Sequence, residues 1–134
     1  IRLSEQYRIT KQVKFIDHCK DMALAYKIVD IVVSASIEPE AFGRISVEAQ
    51  SMKKPIVASD IGGSRETVVD NNTGLLFSSG NYHSLSEKLD FIFRLDDTSL
   101  NVMGNNGRKN VQKKFNVEKM CFSTYSEYKK LINA

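Results

Sequence analysis

Ile31-Val32-Val33-Ser34-Ala35-Ser36-Ile37-Glu38-Pro39-Glu40-Ala41-Phe42-Gly43-Arg44-Ile45-Ser46-Val47-Glu48-Ala49 is the stretch on which the fold turns. Its opening β-branched run is typical of a buried strand, and we read a strand from Asp30 to Ser34. Ile45, Ala49 and Met52 then recur at helical spacing, which predicts a helix from about Gly43 to Lys53. Glu48 falls on that same inner stripe, where an unpaired carboxylate is costly. The conflict between pattern and residue marks this strand-to-helix passage as a place to seek function.

The alternation of strand and helix continues on both sides. Upstream, residues 1–10 predict a helix with Leu3, Tyr7 and Ile9 facing in, Val13-Lys14-Phe15-Ile16 a strand, and Asp21 the cap of a short helix carrying Met22, Ala25 and Tyr26. Downstream, Lys54-Pro55 ends the helix and Pro55 to Ser59 forms a strand, whose first position tolerates proline. Asp60-Ile61-Gly62-Gly63-Ser64 is a loop, and Ser64 is expected to cap a helical turn through Glu66-Thr67. Asp70 to Gly74 has turn composition, and Gly74-Leu75-Leu76-Phe77 is a short strand. From Asn81 onward the pattern is helical only. One helix has Leu85, Leu89, Ile92 and Phe93 inside, and a second, from Asp97 or Thr98, has Leu100, Met103 and Val111. The last starts at Asn116, with Val117, Met120, Cys121, Tyr125, Tyr128 and Leu131 on a stripe that reads as core. Together these elements predict an α/β fold, a Rossmann-like parallel sheet with helical crossovers. Ligands bind such sheets beyond the carboxyl ends of the strands. The His18 loop, the Glu40–Gly43 loop and the Gly62-Gly63 loop each follow a strand and meet there.

Composition narrows the classes. The 134 residues suit one domain, and 42% hydrophobic with 26% charged residues suits a core with a solvated surface. A net charge of +3 argues against a dedicated nucleic-acid binder. Cys19 and Cys121 are far apart and lack CxxC spacing, which reads as idle thiols in a reducing, cytoplasmic compartment. With His18 and His83 equally scattered, no protein metal site is expected.

Gly43 at a helix start leaves backbone N–H groups at the positive end of the helix dipole, a ready site for phosphate. Gly62-Gly63 offers the same from the side. Carboxylates beside phosphate make sense if they accept hydrogen bonds from sugar hydroxyls instead. A glycine-cradled anion with two hydroxyl-reading acids, Glu40 and Glu48, describes a nucleotide sugar. Taken singly, the glycines also read as plain turns, Glu40 as a solvated loop acid, and Glu48 as the partner of Lys53 or Lys54.

Pro39-Glu40-Ala41-Phe42-Gly43-Arg44-Ile45-Ser46-Val47-Glu48-Ala49-Gln50 resembles the glutamate-x7-glutamate signature of retaining glycosyltransferases of the GT-B fold, family four. Lys54 to Glu66, Asn72 to Phe77 and Phe115 to Met120 are similar to later blocks of that family, in order. The resemblance implies that 1–134 is a single, N-terminally incomplete nucleotide-sugar-binding domain, the C-terminal half of a two-domain enzyme. That enzyme would move a hexose from a nucleoside-diphosphate sugar to a glycan or lipid-linked acceptor. By position Glu40 would meet the hexose at the reacting centre, and Phe42, Gly43, Arg44 and Ile45 would offer backbone groups to sugar and diphosphate. Glu48 would hold the ribose, Gly62 and Gly63 would line the donor site, and no metal or other cofactor is implied. The family's first two strand–helix units, with an arginine and a lysine that grip the diphosphate, are missing from this sequence. The resemblance thus implies an inactive fragment with unpaired sheet edges that self-associates or rearranges. Ser64-Arg65 stands where the family often has an aliphatic residue and a proline. The lysines of the last helices (Lys113, Lys114, Lys119, Lys129, Lys130) are compatible with peripheral membrane contact, though a solvated helix face is the preferred reading. Two rival readings remain on this sequence: a non-catalytic nucleotide-binding or interaction module, and a sugar-nucleotide epimerase or hydrolase.

Overall fold

A computed structural model of the chain describes residues 2–133, so Ile1, which heads the first predicted helix, lies outside them. In chain order the elements are α1 (Arg2–Gln6), α2 (Met22–Ile28), β1 (Val32–Ser34), α3 (Arg44–Ser51), β2 (Ile56–Ser59), α4 (Ser64–Thr67), β3 (Gly74–Phe77), α5 (Tyr82–Phe93), α6 (Asp97–Lys114) and α7 (Val117–Ile132). The described strands make one parallel sheet in the order β1-β2-β3, with Val32 opposite Ile56 and Ile56 opposite Gly74.

The middle strand β2 is buried at every residue. Successive strand side chains point to opposite faces. Ile56 and Ala58 therefore join Tyr26, Ala49 and Val68 in one core cluster, while Val57 joins Leu75, Phe77, Ile92 and Met103 in the other. This is an α/β sheet covered on both faces, which is why β2 reads as continuously apolar. Side-chain caps fix the helix starts: Asp21 accepts from the Leu24 amide, Asn81 from His83 and Ser84, Asp96 from Ser99, and Asn116 from Lys119. The Ser99 amide holds the Asp96 carboxyl below its ordinary pKa.

Several expectations need correction. Val13–Ile16 forms no strand: a strand exists by pairing, and no described strand lies beside this exposed run. The first helix stops at Gln6, and Arg8 takes a positive φ of 57°. Ser64 does not cap α4; Gly63 holds that position and Ser64 begins the helix. On α5 the inner face ends at Ile92, and Phe93 is exposed. None of the described residues of α7 is buried, so its apolar stripe is a face without a cover here. Amphipathic spacing predicts a face that wants burial, and says nothing of what buries it.

On α3 the buried face is Ser46, Ala49 and Gln50, while Ile45 is 38% exposed. Helix α6 explains the shift. A Cβ on Gly104 would strike the backbone carbonyl of Lys53, and one on Gly107 would sit 2.9 Å from Cγ of Gln50. That close approach encloses Gln50 completely, and every polar atom of its amide is used. Nε2 donates to the carbonyls of Ser46 (3.0 Å) and Thr67 (2.9 Å), and Oε1 accepts from Nδ2 of Asn110 at 3.2 Å. Gln50→Leu should lower the unfolding free energy by about 2 kcal/mol in urea denaturation, because three buried hydrogen bonds, to Ser46, Thr67 and Asn110, are lost together. Unchanged stability would mean that the network contributes nothing.

Candidate functional site

Three loops leave the carboxyl ends of β1, β2 and β3 and are tied to one another. The Gly63 amide donates to the carbonyl of Glu40 at 2.8 Å, and the Asp60 amide to that of Phe77 at 2.7 Å. Ser79 Oγ donates to the Ser36 carbonyl at 3.2 Å. The first two loops touch backbone to backbone: a Cβ on Gly62 would lie 2.5 Å from the Glu40 carbonyl oxygen, and one on Gly63 would lie 2.6 Å from Cα of Phe42. No residue with a side chain fits at either position without parting the loops.

Gly43 is the N-cap of α3 in the left-handed region, at φ 75° and ψ 53°. Its carbonyl accepts the amides of Ser46 (3.1 Å) and Val47 (3.3 Å), so the helical ladder starts there. The amides of Arg44 and Ile45 have no acceptor among the described residues. They present the positive end of the helix dipole, equivalent to roughly half an elementary charge.

The two acids sit differently. Glu40 is half-buried in the loop, and its Oε1 accepts from Ser36 Oγ at 2.6 Å. Glu48 lies on α3, where Oε2 accepts the phenolic O–H of Tyr26 at 3.0 Å and Oε1 accepts from Arg44 Nε at 3.1 Å. Tyr26 on α2, not Lys53 or Lys54, is therefore what lets a carboxylate occupy that face. Burial, then the hydrogen bond to Glu48, push the Tyr26 phenol up to about 12. The Arg44 side chain is 82% exposed, so its bridge to Glu48 adds only about 0.3–0.5 kcal/mol.

Glu40, Phe42, Gly43, Gly62 and Gly63 are thus brought together at the strand ends, with Arg44 and Ile45 opening the helix beside them. Glu48 is farther along α3, against α2. His18 is exposed in a coil that no described strand precedes, so the expected strand-end position of its loop is not met. Arg65 is engaged with Asp60, through Nε to Oδ1 at 2.7 Å and a second nitrogen to the carbonyl at 3.0 Å. The Phe42 ring turns toward the end of α6, meeting Phe115 edge-on with centroids 5.6 Å apart, and borders a groove of about 440 Å³ with Lys114, Val117 and Met120. Neither acid lines that groove. Sequence reasoning missed Ser36, Ser79 and Tyr26, whose partners lie 4, 43 and 22 residues away. Only the Ser36–Glu40 pair, in a single loop, left a local trace. Among the described residues no His, Cys, Asp and Glu cluster of three could hold a metal ion, and no helix is long and apolar enough to cross a membrane.

Comparison with known proteins gives a consistent result. The family model described as glycosyl transferases group 1 matches residues 1–110. A capsular polysaccharide biosynthesis glycosyltransferase, CapM, of Staphylococcus aureus is 31% identical over 103 residues, covering 77% of this chain and 27% of that protein. The crystal structure of a glycosyltransferase from Rickettsia africae ESF-5 superposes with a TM-score of 0.90 at 32% identity, covering 98% of this chain and 35% of that one. Anabaena HepE in complex with UDP-glucose shares the fold, with a TM-score of 0.85 at 24% identity over 95% of this chain and 35% of its own. The chain thus spans about a third of the length of these proteins or less.

Proposed function

The chain belongs to the group 1 glycosyl transferases, and from that premise we propose that it is the donor-binding part of a longer retaining glycosyltransferase. A nucleoside-diphosphate hexose would lie across the carboxyl ends of the strands. Its diphosphate would meet the free Arg44 and Ile45 amides, its hexose Glu40, and its ribose Glu48. In transfer the bond from the anomeric carbon to the diphosphate breaks and a bond to an acceptor hydroxyl forms. The charge gathering on the departing diphosphate is what the helix end and the Arg44 cation would stabilise. Gly62 and Gly63 would form the floor that lets the donor approach the backbone. The reading needs no metal at the donor. The acceptor would be a glycan or a lipid-linked sugar, with the protein in the cytoplasm or against the membrane surface.

The observation that carries this reading is the left-handed Gly43 placed between two loops locked backbone to backbone, with two unassigned amides at a helix start. Ligand-observed NMR of the full-length enzyme against UDP-, GDP- and ADP-hexoses, starting with UDP-glucose, should show one donor class binding. Glu48→Gln should weaken that binding about 10- to 100-fold, the worth of one hydrogen bond to a charged group. Equal binding by the mutant would remove Glu48 from the ribose.

A further inference from the structure

The two oxygens of Glu48 are held by partners of opposite character. Oε2 is bonded at 3.0 Å to the phenol of Tyr26, a ring buried in the core cluster with Ala49, Ile56, Ala58 and Val68. Oε1 is bonded only to Arg44 among the described residues, and that arginine is 82% exposed. A packed aromatic ring holds its place, whereas a solvated guanidinium swings aside at little cost. One oxygen is pinned and the other is displaceable, so the plane and direction of the carboxylate are set from below by the core.

Resting on the donor-binding reading above, the geometry points to Tyr26 as a positioning residue that fixes Oε2 of Glu48 and commits Oε1 to the ribose hydroxyls. It thereby sets the preference for ribonucleotides over 2′-deoxyribonucleotides. The chemistry suits the task. Tyr26 supplies an O–H that keeps its proton at any physiological pH, so Glu48 is always the acceptor on that side. An acceptor oxygen aimed at a vicinal diol recognises both hydroxyls, and a carboxylate free to rotate would serve one hydroxyl nearly as well as two.

The test compares the full-length wild type with Tyr26→Phe, Glu48→Gln and the double mutant. Dissociation constants are measured by calorimetry for UDP, GDP and ADP and for their 2′-deoxy counterparts. The wild type should prefer the ribo form of the diphosphate it binds. Tyr26→Phe should cut that preference about fivefold, the scale of one hydrogen bond, and should change nothing further in the Glu48→Gln background. The ratio is read within each protein, so a uniform loss of folded material cancels, and phenylalanine keeps the ring in the core. A preference unchanged in Tyr26→Phe, or cut equally in both backgrounds, would overturn the role of Tyr26 alone. A wild type indifferent to the 2′-hydroxyl would overturn the ribose reading beneath it.

Discussion

Glu40→Gln in the full-length enzyme should reduce sugar transfer by about a hundredfold or more while leaving nucleoside-diphosphate affinity within a few-fold. The substitution keeps the shape of the side chain and its bond to Ser36, and removes only the negative charge that the donor-binding proposal sets beside the reacting carbon. A positively charged centre developing there during bond cleavage would lose its stabilising partner, whereas the bound diphosphate would not. Rates measured with saturating donor and acceptor separate the two effects: kcat should collapse and donor Kd should hold. Equal loss of both would place Glu40 in binding, and wild-type turnover would remove it from the chemistry.

Gly63→Ala is the second large effect. The new methyl would overlap the Phe42 carbonyl carbon and approach its oxygen to 2.5 Å and its Cα to 2.6 Å, and none of these is a side chain that can rotate away. The loops after β1 and β2 would have to separate, breaking the bond from the Gly63 amide to the Glu40 carbonyl. The expected loss is about 3 kcal/mol or more in urea denaturation, together with loss of donor binding. Gly80→Ala is the natural control: φ there is +74°, but nothing lies within 4 Å of the added methyl. Its cost should stay near 1–2 kcal/mol, from backbone strain alone. Gly63 itself has an ordinary φ of −62°, so a loss there no larger than at Gly80 would show that the loop contact contributes little.

Much of the architecture was legible in the residues themselves. Gly74–Phe77 is a strand with the predicted limits, and β2 is the apolar run after Pro55, because a doubly covered strand leaves an unbroken hydrophobic signature. The caps at Asp21, Asn81 and Asn116 were equally plain, since capping is local chemistry. The failures share a cause. Val13–Ile16 and the stripe of α7 have the right side chains, but pairing and burial depend on neighbours that periodicity cannot supply. The anomaly at Glu48 was visible, yet its partner Tyr26 stands 22 residues upstream on another helix. Gln50 escaped notice altogether, although the three-residue spacing of Gly104 and Gly107 on α6 hinted that some helix would press close there.

The enclosed amide of Gln50 has a further consequence. Asn110 grips both its oxygen and the carbonyl of Thr67, at 3.2 and 3.0 Å, and Thr67 ends the short helix that Gly63 caps. A change at Asn110, on α6, would tug on the Gly63 loop through the Thr67 carbonyl. If the donor-binding proposal holds, variants there should disturb nucleotide affinity through the glycine loop.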